Sequence, residues 1–195
     1  LRFDNAFKRG DSLRIRAAYF NMNVDDYIVT CQPNASVTFF CNVPGTSRVD
    51  GVEVESMYDA GSMFAGFSYT YTHSDLPNTF ASFGGHTFVP EHLATLTLGW
   101  RFLDQRLTLG MRGKAASEGY AGGTGPNTEG YALLDLFSSY KLTDSIDVGL
   151  SVTNVFDTSY SPYTTTPPTT TNPLSPPTYE TGRGRTFLLT TKAQF

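Results

Sequence analysis

Few residues in this chain have the type and spacing to do chemistry. Cys31 and Cys41 are its two cysteines. Thiols this close in sequence close a small loop, stay free, or supply half of a metal site. With no second pair of soft ligands the metal option is the poorest of the three. The three histidines are His73, His86 and His92, and His86 follows Gly84-Gly85. No serine lies in a nucleophile elbow, and nothing joins a nucleophile to a base and an orienting group. No catalytic residue is expected, and the chain does not read as an enzyme. The Gly119–Gly125 cluster lacks the Gly-Lys-Ser/Thr that lets a loop cradle phosphate. Arg9-Gly10-Asp11 reads as a turn. The sequon Asn34-Ala35-Ser36 is given no functional weight.

The bulk composition is more telling. Aromatic residues make up 14% of the 195 residues and charged residues 16%, whereas an ordinary soluble domain carries about 25% charged residues. So many rings argue against disorder. A net charge of −4 argues against nucleic acid as a partner. No apolar run reaches the ~18 residues of a membrane-spanning helix. The chain opens at Leu1 without a leader, which reads as a mature protein or a fragment.

Apolar and polar residues alternate with period two nearly everywhere, as in Ala94, Leu96, Leu98, Trp100 and Phe102 against Thr95, Thr97, Gly99 and Arg101. This is the strand signature. It predicts nine strands, over 1–8, 12–29, 45–59, 62–74, 92–102, 106–116, 130–141, 146–157 and 185–195. The connections alternate between short (9–11, 60–61, 103–105, 142–145) and long (about 30–44, 75–91, 117–129, 158–184). A meander with tight turns at one rim and long loops at the other is the plan of an outer-membrane barrel. A β-sandwich shows no such alternation. The Pro- and Thr-rich stretch Thr158–Tyr179 is expected to be extended and unpaired, because proline lacks the donor a ladder needs.

The elements place the charges. Arg14, Arg16, Glu53, Glu55, Arg101, Arg106, Arg112, Lys114 and Lys192 all share the strand face of the small polar residues. At the bilayer midplane each Arg or Lys would cost roughly 2–4 kcal/mol on the lipid side. A watery lumen removes that cost, so these nine are expected to face the lumen and the apolar face to meet outer-membrane lipid. Short turns on the periplasmic side put Tyr58, Trp100, Phe102, Tyr140 and Phe195 at that rim. They put Tyr69, Tyr71, Phe156 and Tyr160 at the outer rim, as two aromatic girdles. An extracytoplasmic, oxidising location favours a Cys31–Cys41 disulfide, which would stabilise its loop by roughly 2–3 kcal/mol in the chain-entropy picture.

The fold class is thus all-β, an antiparallel transmembrane β-barrel of about nine meander strands. The first and ninth strands run the same way, so direct closure would need a parallel seam, and the chain reads as part of a larger barrel. Its segments resemble the C-terminal barrel strands of TonB-dependent outer-membrane receptors. The matching residues are Gly51-Val52-Glu53-Val54-Glu55 with Tyr58-Asp59-Ala60-Gly61, Phe67-Ser68-Tyr69-Thr70-Tyr71-Thr72, Asn154-Val155-Phe156-Asp157 with Tyr160, and Gly182-Arg183-Gly184-Arg185-Thr186-Phe187 leading to Phe195. Ala18-Tyr19-Phe20, Asp26-Tyr27-Ile28, Arg101-Phe102-Leu103-Asp104 and Thr181-Gly182-Arg183-Gly184-Arg185-Thr186 are most similar to the haem and haemophore receptors within that family.

The resemblance implies a barrel of about 22 strands filled by an N-terminal plug. Residues 1–195 would be a C-terminal barrel segment without the plug. It implies uptake of haem, free or from a carrier protein, powered through TonB by way of the missing N-terminal region. Haem is then a transported ligand and no cofactor is covalently bound. His86 is either a haem contact or a solvated loop residue, and Phe195 resembles an assembly signal. A ferric siderophore or other metal chelate is the alternative ligand. An outer-membrane adhesin or small barrel enzyme is the alternative of another class.

Overall fold

The computed structural model describes residues 1–26, 28–34, 37–42, 44–74, 90–119, 129–166 and 178–194. Among these residues there are thirteen strands and no helix. They are β1 (Arg2–Asp4), β2 (Ser12–Asp25), β3 (Ile28–Asn34), β4 (Val37–Asn42), β5 (Thr46–Asp59), β6 (Met63–Ser74), β7 (His92–Phe102), β8 (Leu107–Ala116), β9 (Tyr131–Lys141), β10 (Ile146–Thr153), β11 (Tyr163–Thr166), β12 (Thr178–Glu180) and β13 (Thr186–Ala193). Nine form one antiparallel sheet in the order β1-β2-β5-β6-β7-β8-β9-β10-β13. Its outermost strands, β1 and β13, each pair on one side. The pairs β3–β4 and β11–β12 are separate hairpins inside two of the long connections.

The nine sheet strands are the nine expected from the alternation, and the departures have local causes. The second strand stops at Asp25 and not at residue 29. There Asp26 takes φ +50° and its N–H bonds the Gly45 carbonyl at 3.1 Å, which closes a hairpin base. The first strand shrinks to Arg2–Asp4 because residues 5–11 form a turn. Asn5 at φ +58° accepts a bond from the Gly10 N–H, and Asp11 accepts from Phe7 and Lys8. The eighth stops at Thr153, where Asn154 takes φ +50°. The Pro- and Thr-rich stretch was expected not to pair, and this is corrected in part. β11 pairs with β12, using only proline-free residues whose β-branched side chains suit a strand.

Burial excludes a globular reading. Among the described residues one apolar side chain is buried, Ala116, while Trp100, Leu109, Leu136, Leu150, Phe187 and Leu189 are between 37% and 70% exposed. A soluble domain of this size would hide such residues in a core. Here they lie on one outward face of a single sheet.

Heights differ along the sheet. β2 and β5 each have 14 residues, β10 and β13 only 8. At ~3.3 Å per residue the tall pair spans roughly 45 Å, whereas about 9–11 residues suffice for a tilted strand to cross a bilayer.

Candidate functional site

In an antiparallel ladder directly opposed residues share a face, so the register sorts every side chain. One face carries Ile15, Val52, Val54, Phe67, Leu96, Leu98, Trp100, Leu109, Met111, Leu136, Leu150 and Leu189. The other carries Arg14, Arg16, Glu53, Glu55, Arg101, Arg112, Lys114 and Lys192 among serines, threonines and glycines. Arg106 lies one residue before β8, where it donates to the Leu142 carbonyl at 3.2 Å and ties two neighbouring short turns together.

On the polar face, residues of opposite charge stand directly across from one another in the register: Arg16 and Glu55, Arg112 and Asp135, and Asp147 and Lys192. Such cross-strand pairs contribute about 0.2–1 kcal/mol each. Much of a concavity of about 1090 Å³ is lined by this face, including Arg14, Arg16, Glu55, Ser68, Thr95 and Thr97.

Three aromatic rings also lie on the polar face, each opposite a glycine: Phe20 over Gly51, Phe64 over Gly99, and Phe137 over Gly110. A methyl group at any of these glycines would overlap the ring, so each ring lies flat against the neighbouring strand. Over Phe64 sits the Arg101 guanidinium, 4.7 Å from the ring centre. Arg101 grips Asp59 with two bonds of 2.9 Å and the Gly61 carbonyl with one of 2.8 Å. The polar rim at the short-turn end is thereby braced across β5, β6 and β7.

Tyr58, Trp100, Phe102 and Tyr140 stand on the apolar face near the short turns, and Tyr69 and Tyr71 near the long connections. Tyr58 has a second contact that composition did not suggest. Its hydroxyl donates to Asp11 at 2.9 Å, and its ring meets Phe7 edge-on at 5.6 Å. Asp11 is 3% exposed. Burial pushes its carboxyl up, but the N–H groups of Lys8 and Phe7 and the Tyr58 hydroxyl outweigh that and leave it below the usual carboxylate range.

His92 lies on the apolar face with its ring between Tyr69 and Tyr71, and its Nδ1 is 2.8 Å from the Tyr69 hydroxyl. His73 is 3.8 Å from Glu91. His86 and Phe195 lie outside the described residues.

Cys31 and Cys41 are joined by a disulfide with Cα atoms 5.8 Å apart. The bond crosses between β3 and β4, the hairpin that stands on the tall β2–β5 pair.

One sequence reading changes at the end of β10. Tyr160 was placed in the outer girdle. Instead its ring packs on Tyr131 at 4.7 Å, and Tyr131 stands on the polar face opposite Ala116. The left-handed residues Asn154 and Asp157, at φ +50° and +54°, turn the chain inward.

Asn154 itself, noted in the sequence only as part of a family-like motif, is 2% exposed. Its side chain donates to the carbonyls of Thr158 at 2.9 Å and Arg183 at 3.3 Å and accepts from the Thr158 N–H at 2.9 Å. Its own N–H donates to Asp135 at 2.8 Å, and Asp157 accepts from the Arg185 N–H at 2.7 Å. An asparagine at a strand end, followed three residues on by aspartate, was the only available signal.

Known proteins share this plan. Residues 1–155 match the profile of the TonB dependent receptor-like, beta-barrel family. TonB-dependent heme receptor A of Haemophilus ducreyi is 25% identical over 195 residues, covering 84% of this chain and 26% of that protein. The iron-regulated outer membrane virulence protein of Vibrio cholerae is 30% identical over 139 residues, 67% of this chain and 21% of its own. The solved Serratia marcescens hemophore receptor HasR, in complex with its hemophore HasA and heme, superposes with a TM-score of 0.72 at 25% identity, over 100% of this chain and 30% of its own. The chain spans about a quarter of the length of the curated relatives it matches.

Proposed function

The chain belongs to the TonB-dependent receptor β-barrel family, and from that premise we propose that it is the C-terminal barrel segment of an outer-membrane receptor that takes up haem, free or from a carrier protein. The location is the outer membrane, where the apolar face meets lipid. The polar face then lines the lumen, with Arg14, Arg16, Glu53, Glu55, Arg101, Arg106, Arg112, Lys114 and Lys192 toward the passage.

The observation that carries the reading is the separation of the two faces, with no dry core among the described residues. An exposed apolar face beside an equally exposed charged face is stable only if one meets hydrocarbon and the other water. The four short connections then lie in the periplasm, on the side from which TonB would act through a region outside this chain. The long connections face outward, where a carrier would dock.

Haem rests on the names of relatives, a heme receptor and a hemophore receptor bound to heme. A ferric siderophore is the competing cargo, and the iron-regulated relative is named for neither. Titrating the intact receptor with haem while following the Soret band separates them. Saturable binding at micromolar haem supports the proposal. An unshifted band, together with binding of a ferric siderophore, moves the assignment to the rival.

A further inference from the structure

We infer that Asn154, with Asp135 and Asp157, is a positioning device that turns the two legs of the connection between β10 and β13, residues 154–162 and 181–185, toward the polar face, so that these legs form part of the cargo-capturing mouth. The inference rests on the uptake reading for its cargo, though not for its geometry.

Between β10 and β13, the described residues 154–162 and 181–185 form two legs that lead to β11 and from β12. Both legs meet at Asn154. Its carboxamide bonds the first leg at Thr158 and the second at Arg183, 29 residues away. Asp157 on the first leg caps the Arg185 N–H of the second. The Gly182 N–H donates to the Tyr160 carbonyl at 2.8 Å. A side chain at Gly182 would collide with the Tyr160 ring, so the legs are in van der Waals contact.

The direction of the legs is set by two contacts with the polar face. Tyr160 leans on Tyr131, whose ring also has the Lys114 ammonium 6.0 Å from its centre. Asp135, opposite Arg112 on the same face, accepts the Asn154 N–H. β11 begins three residues after Tyr160 and β12 ends two before Gly182. The hairpin is therefore rooted on the polar side of the wall and not on the lipid side.

A device needed only to close the sheet would not have to turn inward, because eight register pairs already join β10 to β13. The surplus is spent on direction. Asn154 at φ +50° adopts the left-handed backbone that asparagine tolerates better than most residues, and a buried amide with every partner satisfied specifies one geometry.

The test uses the intact receptor on whole cells, with Asn154→Gly, which keeps the backbone turn and removes the carboxamide, and Tyr160→Ala, which leaves the carboxamide bonds in place. Two readouts are taken. Trypsin cleavage after Arg183 needs no cargo, and the Arg183 carbonyl is one of the bonds Asn154 makes. We expect cleavage at least tenfold faster in Asn154→Gly. Equilibrium binding of haem and of a ferric catecholate siderophore, per inserted receptor, is expected to weaken about tenfold in both variants for whichever cargo the unaltered receptor binds. Rejection of haem by the unaltered receptor defeats the haem assignment alone. An unchanged trypsin rate overturns the inference, even if neither cargo binds. Reduced insertion with parental affinity per receptor makes Asn154 a purely structural clasp, and also overturns it.

Discussion

Two long connections leave this sheet and are secured in opposite ways. The one between β2 and β5 rises on 14-residue strands and is fastened by a covalent bond between Cys31 and Cys41, out on its own hairpin. The one between β10 and β13 leaves strands of 8 residues and is fastened at its root by a buried asparagine and two aspartates. The staple stiffens a hairpin whose strands pair only with each other. The clasp joins a loop to the wall and fixes the direction in which it leaves. A disulfide suits the first task because a hairpin paired only with itself has little neighbouring surface to pack against, and restricting its unfolded ensemble is what a cross-link does. Hydrogen bonds suit the second because the neighbours are close and their geometry is directional.

The contrast is broken most forcefully by Asn154→Ala. Losing the carboxamide strands the Thr158 N–H and the two carbonyls it served, and alanine tolerates φ +50° poorly, so a loss of about 2–4 kcal/mol is expected. Urea unfolding of the refolded intact receptor, followed by heat-modified mobility, measures it, and global stability should fall. Replacing both Cys31 and Cys41 with serine should cost the hairpin roughly 2–3 kcal/mol and leave the wall untouched. Amide exchange should accelerate in residues 28–42 while the urea midpoint of the barrel stays put. If the midpoint moves as far as with Asn154→Ala, the division between staple and clasp is wrong.

Smaller effects sharpen the picture at the opposite rim. Leu103, Asp104 and Gln105 all have φ between +53° and +69°, and left-handed backbone costs a non-glycine residue roughly 1 kcal/mol. Leu103→Gly should therefore raise stability by up to about 1 kcal/mol, read as a higher urea midpoint. Asp11 gives the subtlest effect. Its carboxyl titrates lower in the folded chain than its ordinary value. The stability it adds is therefore present above that ordinary value of about 3.9 and is lost as pH falls through the depressed native one. Asp11→Asn should flatten the acid limb of a stability–pH curve and leave the neutral region nearly parallel to the parent, shifted down by the weaker neutral hydrogen bonds.

The wall was legible in the residues themselves. Strands such as His92–Phe102 announce their two faces through alternation, and the same parity that exposes Leu96 and Leu98 collects Arg101, Arg112 and Lys114 on the other side. The staple was legible because cysteines are rare here and the pair is close. The clasp was not, because its chemistry depends on a backbone angle at Asn154 and on a carbonyl 29 residues away. Tyr160 was misplaced for the same reason. Extrapolating strand parity past Thr153 sends it outward, whereas two left-handed residues send it in. Prolines misled in a different manner, since they forbid pairing only where they stand, and the short runs beside them still formed β11 and β12.

The rings of Phe20, Phe64 and Phe137, each pressed onto a glycine of the adjoining strand, have a consequence for the contour of the polar face and for descent. Their bulk lies flat against the neighbouring strand, so the polar face stays level where upright phenylalanines would stand out from it. Each ring and its glycine also form one inheritable unit. Drift at Gly51, Gly99 or Gly110 toward any larger residue has to be answered by a smaller side chain across the seam, or the ring is pushed up off the polar face.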